Sequence, residues 1–164
     1  MEYRELYDEN RQKINKKILK GEPMPKGSYY TVVFLFIEDE NQKFLIQKRT
    51  PDKGGKWSIT AGHPKEGESS LEGVLTEAKE ELGLTLDKDK LTLYETQRTD
   101  HFFGDFYYIQ MPITLEDIVL QKEEVDDVRF ATFDEIEELI MKNEFMDKHA
   151  IWFYRFKTYY ENKE

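Results

Sequence analysis

The amino-acid sequence predicts a mixed α and β protein, an α+β or α/β sandwich built around a mixed β-sheet. Three observations lead to this prediction. Strand patterns occur before, between and after helical patterns, the connections between strands are short enough for hairpins, and 164 residues suit one domain with a core of ordinary size. Parallel and antiparallel pairings are therefore both expected within one sheet.

The strand candidates are short apolar or alternating segments bounded by turn residues. Residues 31–37 read as a buried strand, and a turn at 39–42 makes 43–48 its expected hairpin partner. The first 28 residues are expected to form an N-terminal extension or hairpin. The full set of predicted strands is 31–37, 43–48, 57–61, 91–98, 102–111 and 128–131.

The helix that matters most for function is predicted over residues 69–82. Ser69 and Glu72 have the spacing of a capping box, and Gly83 is placed to end the helix. Apolar residues recur on one face, at Leu71, Val74, Leu75, Ala78 and Leu82. Two further helices are expected, one from about 132–135 and one over 147–160.

Composition excludes several classes of function. The formal charge of −10 argues against an extended grip on nucleic-acid phosphates. The longest apolar run, 32–37, is too short to span a bilayer, and the N-terminus lacks the pattern of a secretory signal, so a cytoplasmic protein is expected. The absence of cysteine excludes disulfides, thiolate metal sites and cysteine nucleophiles.

The predicted helix 69–82 carries a cluster of carboxylates opposite its apolar face. Glu77 and Glu81 are one turn apart, Glu80 lies beside them, and Glu68 precedes the cap. Clustered carboxylates repel one another, but they are the hard oxygen ligands that Mg²⁺ or Mn²⁺ requires. The alternative is a solvated acidic face on a plain interaction domain.

The segment 62–84 resembles the Nudix box. That motif is a glycine, five residues, a glutamate, seven residues, and then Arg-Glu-apolar-any-Glu-Glu-any-Gly-apolar. The chain matches eight of the nine specified positions, from Gly62 to Leu84. A looser resemblance continues outside the box, at 47–49 and 57–61. The resemblance implies a Nudix-type α/β/α sandwich and an Mg²⁺-dependent hydrolase acting on a small-molecule substrate, a nucleoside diphosphate linked to another group.

The resemblance also implies roles for individual residues. Glu77 and Glu81 would be the main metal ligands, Glu80 a third and Glu68 a supporting one, and the backbone carbonyl near Ala61 or Gly62 would complete the site. Water would then attack a phosphorus of the diphosphate bridge.

The general base of that reaction varies among relatives of this kind. The candidates are Glu77 itself and two later acids, Glu123 and Glu124, of which Glu124 is favoured. Glu80 is also expected to be a catalytic residue. Arg49 and Lys48, at the end of a predicted strand, are candidates for binding substrate phosphate.

One position departs from the motif, because Thr76 stands where the box has arginine. That arginine is expected to orient the glutamate that follows it, and a hydroxyl cannot form a bidentate or charge-assisted bond. Either Lys79 or Arg49 takes over this task, or activity is reduced. A catalytically weak, nucleotide-binding sensor therefore stays open as an alternative.

A second alternative is an isomerase of isopentenyl diphosphate. The tripeptide Gly62-His63-Pro64 is similar to one in that branch of the fold, where the histidine binds metal and a cysteine precedes the glycine. This chain has Ala61 at the cysteine position, no cysteine elsewhere and no histidine in 29–37. His63 is therefore expected to be a loop residue shaped by the following proline.

Several aromatic and acidic residues have more than one interpretation. Asp105 lies between aromatic residues, either near the metal or, as favoured here, facing outward from an alternating strand. Tyr29 and Tyr30 are candidates for stacking on a base. The aromatic residues Trp152, Phe153, Phe156, Tyr159 and Tyr160 are expected to pack in the core or at a homodimer contact, an assembly that the resemblance allows.

Overall fold

Nine β-strands and three α-helices are formed within residues 3–163, the part of the chain that the computed structural model describes. The strands are β1 (Tyr3–Tyr7), β2 (Lys13–Leu19), β3 (Tyr30–Glu38), β4 (Phe44–Arg49), β5 (Trp57–Ser58), β6 (Thr60–Gly62), β7 (Thr92–Arg98), β8 (Phe102–Gln110) and β9 (Val125–Ala131). The helices are α1 (Ser70–Leu82), α2 (Phe133–Met141) and α3 (Asp147–Asn162).

The strand β3 lies at the centre of a mixed sheet. It runs parallel to β8 along its whole length, from the pair Tyr30 and Phe102 to the pair Glu38 and Gln110, and β8 runs antiparallel to β7. Both faces of β3 are covered, which explains its continuous apolar sequence. Helix α1 packs on one face, and α2 and α3 pack on the other. The predicted α/β/α sandwich with a mixed sheet is confirmed.

The pairing of β3 with β4 differs from the predicted hairpin. The two strands meet only at Glu38 and Phe44, because β6 occupies the same edge of β3 further along. Strand β4 diverges and pairs instead with β5 and β9. The single strand predicted at 57–61 is accordingly split at Ile59, where the chain crosses from β4 to β3. This crossing places Gly62 opposite Val33, in the middle of the sheet.

Helix α1 begins and ends as the sequence predicts. Ser69 and Glu72 form the capping box, and Gly83 closes the helix in the left-handed conformation with φ of 69°. A Cβ at Gly83 would also lie 2.9 Å from the side chain of Val119. Glycine is therefore required there both for the turn and for the approach of the loop that follows β8.

The first two strands form an antiparallel hairpin that packs beside the main sheet. Arg11, at the turn of this hairpin, forms an ion pair with Asp105 on β8 at 2.5 Å. Asp105 is only 2% exposed, so the prediction of an outward-facing residue is wrong. The hairpin covers this side of β8, and the guanidinium of Arg11 replaces the water that would otherwise solvate the carboxylate.

The aromatic residues of α3 supply much of the core on its side of the sheet. Phe156 stacks on Phe36 with ring centroids 3.9 Å apart, and Phe153 is fully buried. This confirms the prediction of core packing for these two residues. No helix within residues 3–163 is long and apolar enough to cross a membrane.

Candidate active site

A cavity of about 430 Å³ opens beside the end of α1 that carries the glutamates. It is bounded by β3, β4, β6 and α1, by the N-terminal hairpin, by the loop before β9 and by the start of α3. Six of the residues predicted for the site line it, namely Arg49, Gly62, Glu77, Glu80, Glu81 and Glu124. The fold therefore brings together residues from four separate segments of the chain.

Gly62 and Glu77 are in direct contact at the floor of this cavity. A Cβ atom at Gly62 would lie 2.0 Å from Cδ of Glu77, far inside any real contact distance. Only glycine lets the carboxyl group of Glu77 lie against the backbone of β6. The first glycine of the box is thus explained by the position of a glutamate fifteen residues later.

Glu81 is fixed by a chain of side-chain hydrogen bonds from the sheet. Thr60 Oγ1 donates to Gln47 Oε1 at 2.7 Å, and Gln47 Nε2 donates to Glu81 Oε1 at 2.9 Å. Burial raises the pKa of Glu81, hydrogen bonds with Gln47 and Glu77 oppose this shift, and the charge of Glu124 adds to it. Glu77 and Glu81 therefore present two carboxyl groups in contact, with one of them poorly solvated.

These two carboxyl groups have the chemistry of a site for a hard divalent cation. Within residues 3–163, however, no three acidic or histidine side chains converge as a ready-made cage. Glu80 lines the cavity but is ion-paired with Lys65. A two-carboxylate site with a nearby carbonyl suits Mg²⁺, which keeps several water or phosphate ligands when it binds to proteins.

Glu68 lies outside this cavity, and it acts as a link between the loop and the helix. Its Oε1 accepts a hydrogen bond from the backbone N–H of Lys65 at 2.7 Å, and its Oε2 accepts one from Thr76 Oγ1 at 2.6 Å. Both carboxylate oxygens are thus engaged away from Glu77 and Glu81. The hydroxyl of Thr76, the residue that departs from the box, therefore binds Glu68 and not Glu77.

Arg49 and Lys48 are separated by the alternation of side chains along β4. Gln47 and Arg49, two residues apart, both line the cavity, whereas Lys48 points to the other face and does not. Nε of Arg49 is buried and has no hydrogen-bond partner among the described residues. An unsatisfied buried donor at a cavity wall is suited to an anionic ligand.

Glu124 lines the cavity, and the neighbouring Glu123 does not. The loop that carries Glu124 is attached to the end of α1, because the N–H of Gln121 donates to the carbonyl of Glu81 at 3.1 Å. The carboxylate of Glu124 forms an ion pair with Lys53. This attachment brings a residue more than forty positions away close to the glutamates of α1.

Two histidines line the cavity in the neutral form. His63 lies in a loop, as predicted, but burial and the charges of Arg4 and Lys20 lower its pKa to about 3. His149 was missed by the sequence reasoning, and burial lowers its pKa to about 4. Nδ1 of His149 accepts the N–H of Ile59 at 3.1 Å, so the proton of the neutral ring is on Nε2.

The remaining wall of the cavity is aromatic, formed by Tyr30, Phe34, Phe102 and Trp152. Tyr29 is not part of it. The ring of Tyr30 is already engaged by other groups, because Arg4 lies over it at 5.3 Å and Phe102 stacks on it at 5.9 Å. Tyr30 therefore supports other side chains and is poorly placed to stack on a base.

Sequence reasoning could have found one of the missed residues. Gln47 directly follows the apolar residues 44–46 of β4 and is buried with them, and an amide in such a position is a local sign of a required hydrogen bond. Arg4, Lys20, Lys148 and His149 carry no such sign, since only the tertiary fold brings them to the cavity.

Comparison with known proteins agrees with this architecture. The family model described as NUDIX domain matches residues 29–153. An uncharacterized Nudix hydrolase of Listeria innocua is 37% identical over 150 residues, covering 89% of each chain, and Nudix hydrolase 3 of Arabidopsis thaliana is 34% identical over 76% of this chain and 18% of its own length. An isopentenyl-diphosphate Delta-isomerase of Pectobacterium atrosepticum is 28% identical over 90% of this chain and 85% of its own.

The solved structures show the same fold at lower identity. A protein of Deinococcus radiodurans has a TM-score of 0.77 and 20% identity, covering 94% of this chain and 98% of its own. The chain belongs to the Nudix family. It is a Nudix hydrolase, an enzyme acting on phosphorus-containing anhydrides.

Proposed function

We propose that this hydrolase cleaves the diphosphate linkage of a nucleoside diphosphate derivative, with Mg²⁺ or Mn²⁺ as cofactor. The observation that carries the proposal is the contact between the carboxyl groups of Glu77 and Glu81 at the wall of a cavity that also holds Arg49. Carboxylates for a cation and a guanidinium for an anion are the two groups that a metal–diphosphate substrate needs side by side.

Glu77 and Glu81 would hold the cation, together with Glu80 and the carbonyl near Gly62. A divalent ion bound there would polarise the phosphate oxygens and make water more acidic. The protein's own contribution is to keep the two carboxyl groups in place, through Gly62 beneath Glu77 and through Gln47 and Thr60 behind Glu81. Glu68 would serve as a brace for the loop.

Arg49 and His149 would orient the substrate. Arg49 offers its unpartnered Nε to a phosphate oxygen, and the neutral ring of His149 offers an N–H at Nε2. Phe34 and Trp152 complete this wall with apolar surface for a base or sugar. Two fixed donors beside aromatic rings favour a ligand that combines an anionic group with a flat or apolar one.

Glu124 would accept the proton of the attacking water. It lines the cavity with Glu81, and the ion pair with Lys53 fixes the direction of its carboxylate. Positioning of this kind is the main contribution a protein makes when water attacks phosphorus.

The test is a turnover assay over a panel of nucleoside diphosphate derivatives, with Mg²⁺, with Mn²⁺ and with chelator. Release of phosphate or nucleoside monophosphate that requires a metal would support the proposal. Isopentenyl diphosphate belongs in the same panel because relatives at 28% identity are named as isomerases of it. The residue before Gly62 is Ala61, and the chain has no cysteine, so no isomerisation is expected.

A further inference from the structure

The cavity is locally more basic than the protein as a whole. Five basic side chains line it against four acidic ones, whereas the whole chain has a formal charge of −10. The acidic residues are those of α1 and Glu124. The basic residues are Arg4, Lys20, Arg49, Lys65 and Lys148. A basic pocket in an acidic protein focuses anionic ligands at that point.

Two of these basic residues come from the N-terminal hairpin. Arg4 lies on β1, and Lys20 directly follows β2. The guanidinium of Arg4 is held over the ring of Tyr30 at 5.3 Å, and the ring of His63 contacts the same tyrosine at 5.3 Å. Arg4 and Lys20 both line the cavity together with His63.

The hairpin is fixed to the catalytic segment and not merely to the sheet. The N–H of Glu66 donates to the carbonyl of Tyr3 at 3.0 Å, and the N–H of Gly67 donates to Glu5 Oε1 at 2.9 Å. The buried ion pair between Arg11 and Asp105 holds its other end. The hairpin is therefore hydrogen-bonded directly to the loop between Gly62 and α1.

We propose that the N-terminal hairpin is part of the substrate site, and that Arg4 and Lys20 bind an additional phosphate beyond the diphosphate held near Glu77 and Glu81. This inference rests on the proposed hydrolase function and adds a substrate class to it. The enzyme prefers substrates with three or more linked phosphates, such as nucleoside triphosphates, over those with two.

The second anion site is connected to the carboxylates through His63 and Gly62. The ring of Tyr30 lies 5.3 Å from both the Arg4 guanidinium and the His63 ring. His63 follows Gly62 directly, and consecutive Cα atoms are about 3.8 Å apart. Gly62 itself contacts Glu77. The hairpin cations thus line the same cavity as the carboxylates, and Arg4 lies on the side of His63. Each charge-assisted contact to a phosphate oxygen adds to affinity and selects for chain length.

The experiment compares the binding of inorganic tripolyphosphate and inorganic pyrophosphate to the intact chain by calorimetry in Mg²⁺. We expect tripolyphosphate to bind at least about tenfold more tightly to the wild type. In the double variant Arg4→Gln/Lys20→Gln, this advantage should fall below about threefold, with pyrophosphate affinity nearly unchanged. Lys20→Gln alone, at an exposed position, should lose part of the advantage and gives a variant whose folding is not in question.

Lys16→Gln is the matched control, because Lys16 lies on the same hairpin, is exposed and does not line the cavity. It should keep the full preference. Equal binding of the two anions by the wild type, or an undiminished preference in the double variant, would overturn the proposal. A preference that the wild type shows and the double variant loses, without turnover of any nucleotide, would instead refute the proposed nucleotide substrate and leave the anion site standing.

Discussion

Thr76 donates a 2.6 Å hydrogen bond from its hydroxyl to Oε2 of Glu68, across the junction between the loop and helix α1. The other oxygen of Glu68 accepts the backbone N–H of Lys65. Thr76, which replaces the arginine of the Nudix box, therefore takes part in the hydrogen bonds that join the loop to α1. Glu77 is positioned separately by its contact with Gly62. A threonine at this position is compatible with an ordered pair of carboxylates.

Replacing the hydroxyl of Thr76 should loosen this brace. We expect Thr76→Val to lower the free energy of unfolding by about 1 kcal/mol, the usual contribution of one hydrogen bond to a charged group that stays partly solvated. Thr76→Ser, which keeps the hydroxyl, should unfold like the wild type in a urea titration. Equal stability of the valine and serine variants would show that the bond to Glu68 contributes nothing.

Glu81→Gln should reduce metal binding while leaving the fold intact. The amide oxygen can still accept the hydrogen bond from Gln47, but it carries no charge for a cation. Mutation of residues that only support metal ligands typically lowers metal affinity by about 10–100-fold. Loss of this carboxylate should therefore lower Mn²⁺ affinity by at least about 100-fold in an electron paramagnetic resonance titration. The exposed Glu116→Gln serves as control, and unchanged Mn²⁺ binding in Glu81→Gln would remove Glu81 from the site.

Glu124→Gln should lower kcat with little change in KM. A general base contributes roughly 10²–10⁴-fold to such reactions, and the amide cannot accept the proton of water. Glu123→Gln changes the same charge at the neighbouring, exposed residue and should retain full activity. If the two variants lost activity equally, the assignment of Glu124 would fail in favour of a general effect of charge.

The low pKa of His149 in the folded state should make the protein less stable in mild acid. Its pKa is lowered to about 4 in the folded state, whereas the unfolded ring takes up a proton near pH 6.5. Between these values the unfolded state binds more protons, so the free energy of unfolding falls as pH decreases from 6.5 to 4, and no such contribution exists above 6.5.

The matching measurement is urea unfolding at several pH values for the wild type and for His149→Gln, a variant that keeps an acceptor for the N–H of Ile59. The wild type should lose up to about 1.4 kcal/mol per pH unit more than the variant over this range. The exposed His101→Gln should follow the wild type. Identical pH profiles for the wild type and His149→Gln would contradict a neutral, buried His149.

The ion pair between Arg11 and Asp105 should be required for the hairpin to dock. Burial opposes ionisation of Asp105, but hydrogen bonds from Arg11 and from other side chains outweigh it and lower its pKa. Arg11→Met leaves that buried carboxylate without its cation, which should cost about 3 kcal/mol in urea unfolding. Arg11→Met/Asp105→Asn should recover most of this loss, and a cost below about 1 kcal/mol for Arg11→Met would show that the pair does not anchor the hairpin.

Most of the fold could be predicted from local sequence patterns. The helix over 70–82 was predictable because its caps, Ser69 and Gly83, and its apolar stripe are all written within fifteen residues. The pairing of β4 was not, because the competition between β4 and β6 for one edge of β3 is decided by the whole sheet. The burial of Asp105 escaped prediction for the same reason, since its partner Arg11 is 94 residues away.

The candidate site also contains some residues that local patterns predict and others that only the tertiary fold brings in. Glu77, Glu80 and Glu81 are evident from helical spacing, and Gly62 from its place in the box. The groups that surround them, such as Gln47 and His149, act from other strands and helices and become visible only when the chain is folded. Sequence therefore indicates the carboxylate end of the cavity, and the tertiary structure supplies the other residues that line it.

The most direct test of the proposed chemistry is hydrolysis in ¹⁸O-labelled water, followed by mass spectrometry of the products. Using a nucleotide from the panel, with Mg²⁺ present, we predict one ¹⁸O atom in a phosphate group of one product, with formation of that product abolished by chelator and strongly reduced in Glu81→Gln. Product formation that persists in chelator and in Glu81→Gln, or products that carry no label on phosphorus, would contradict metal-dependent attack of water on the diphosphate.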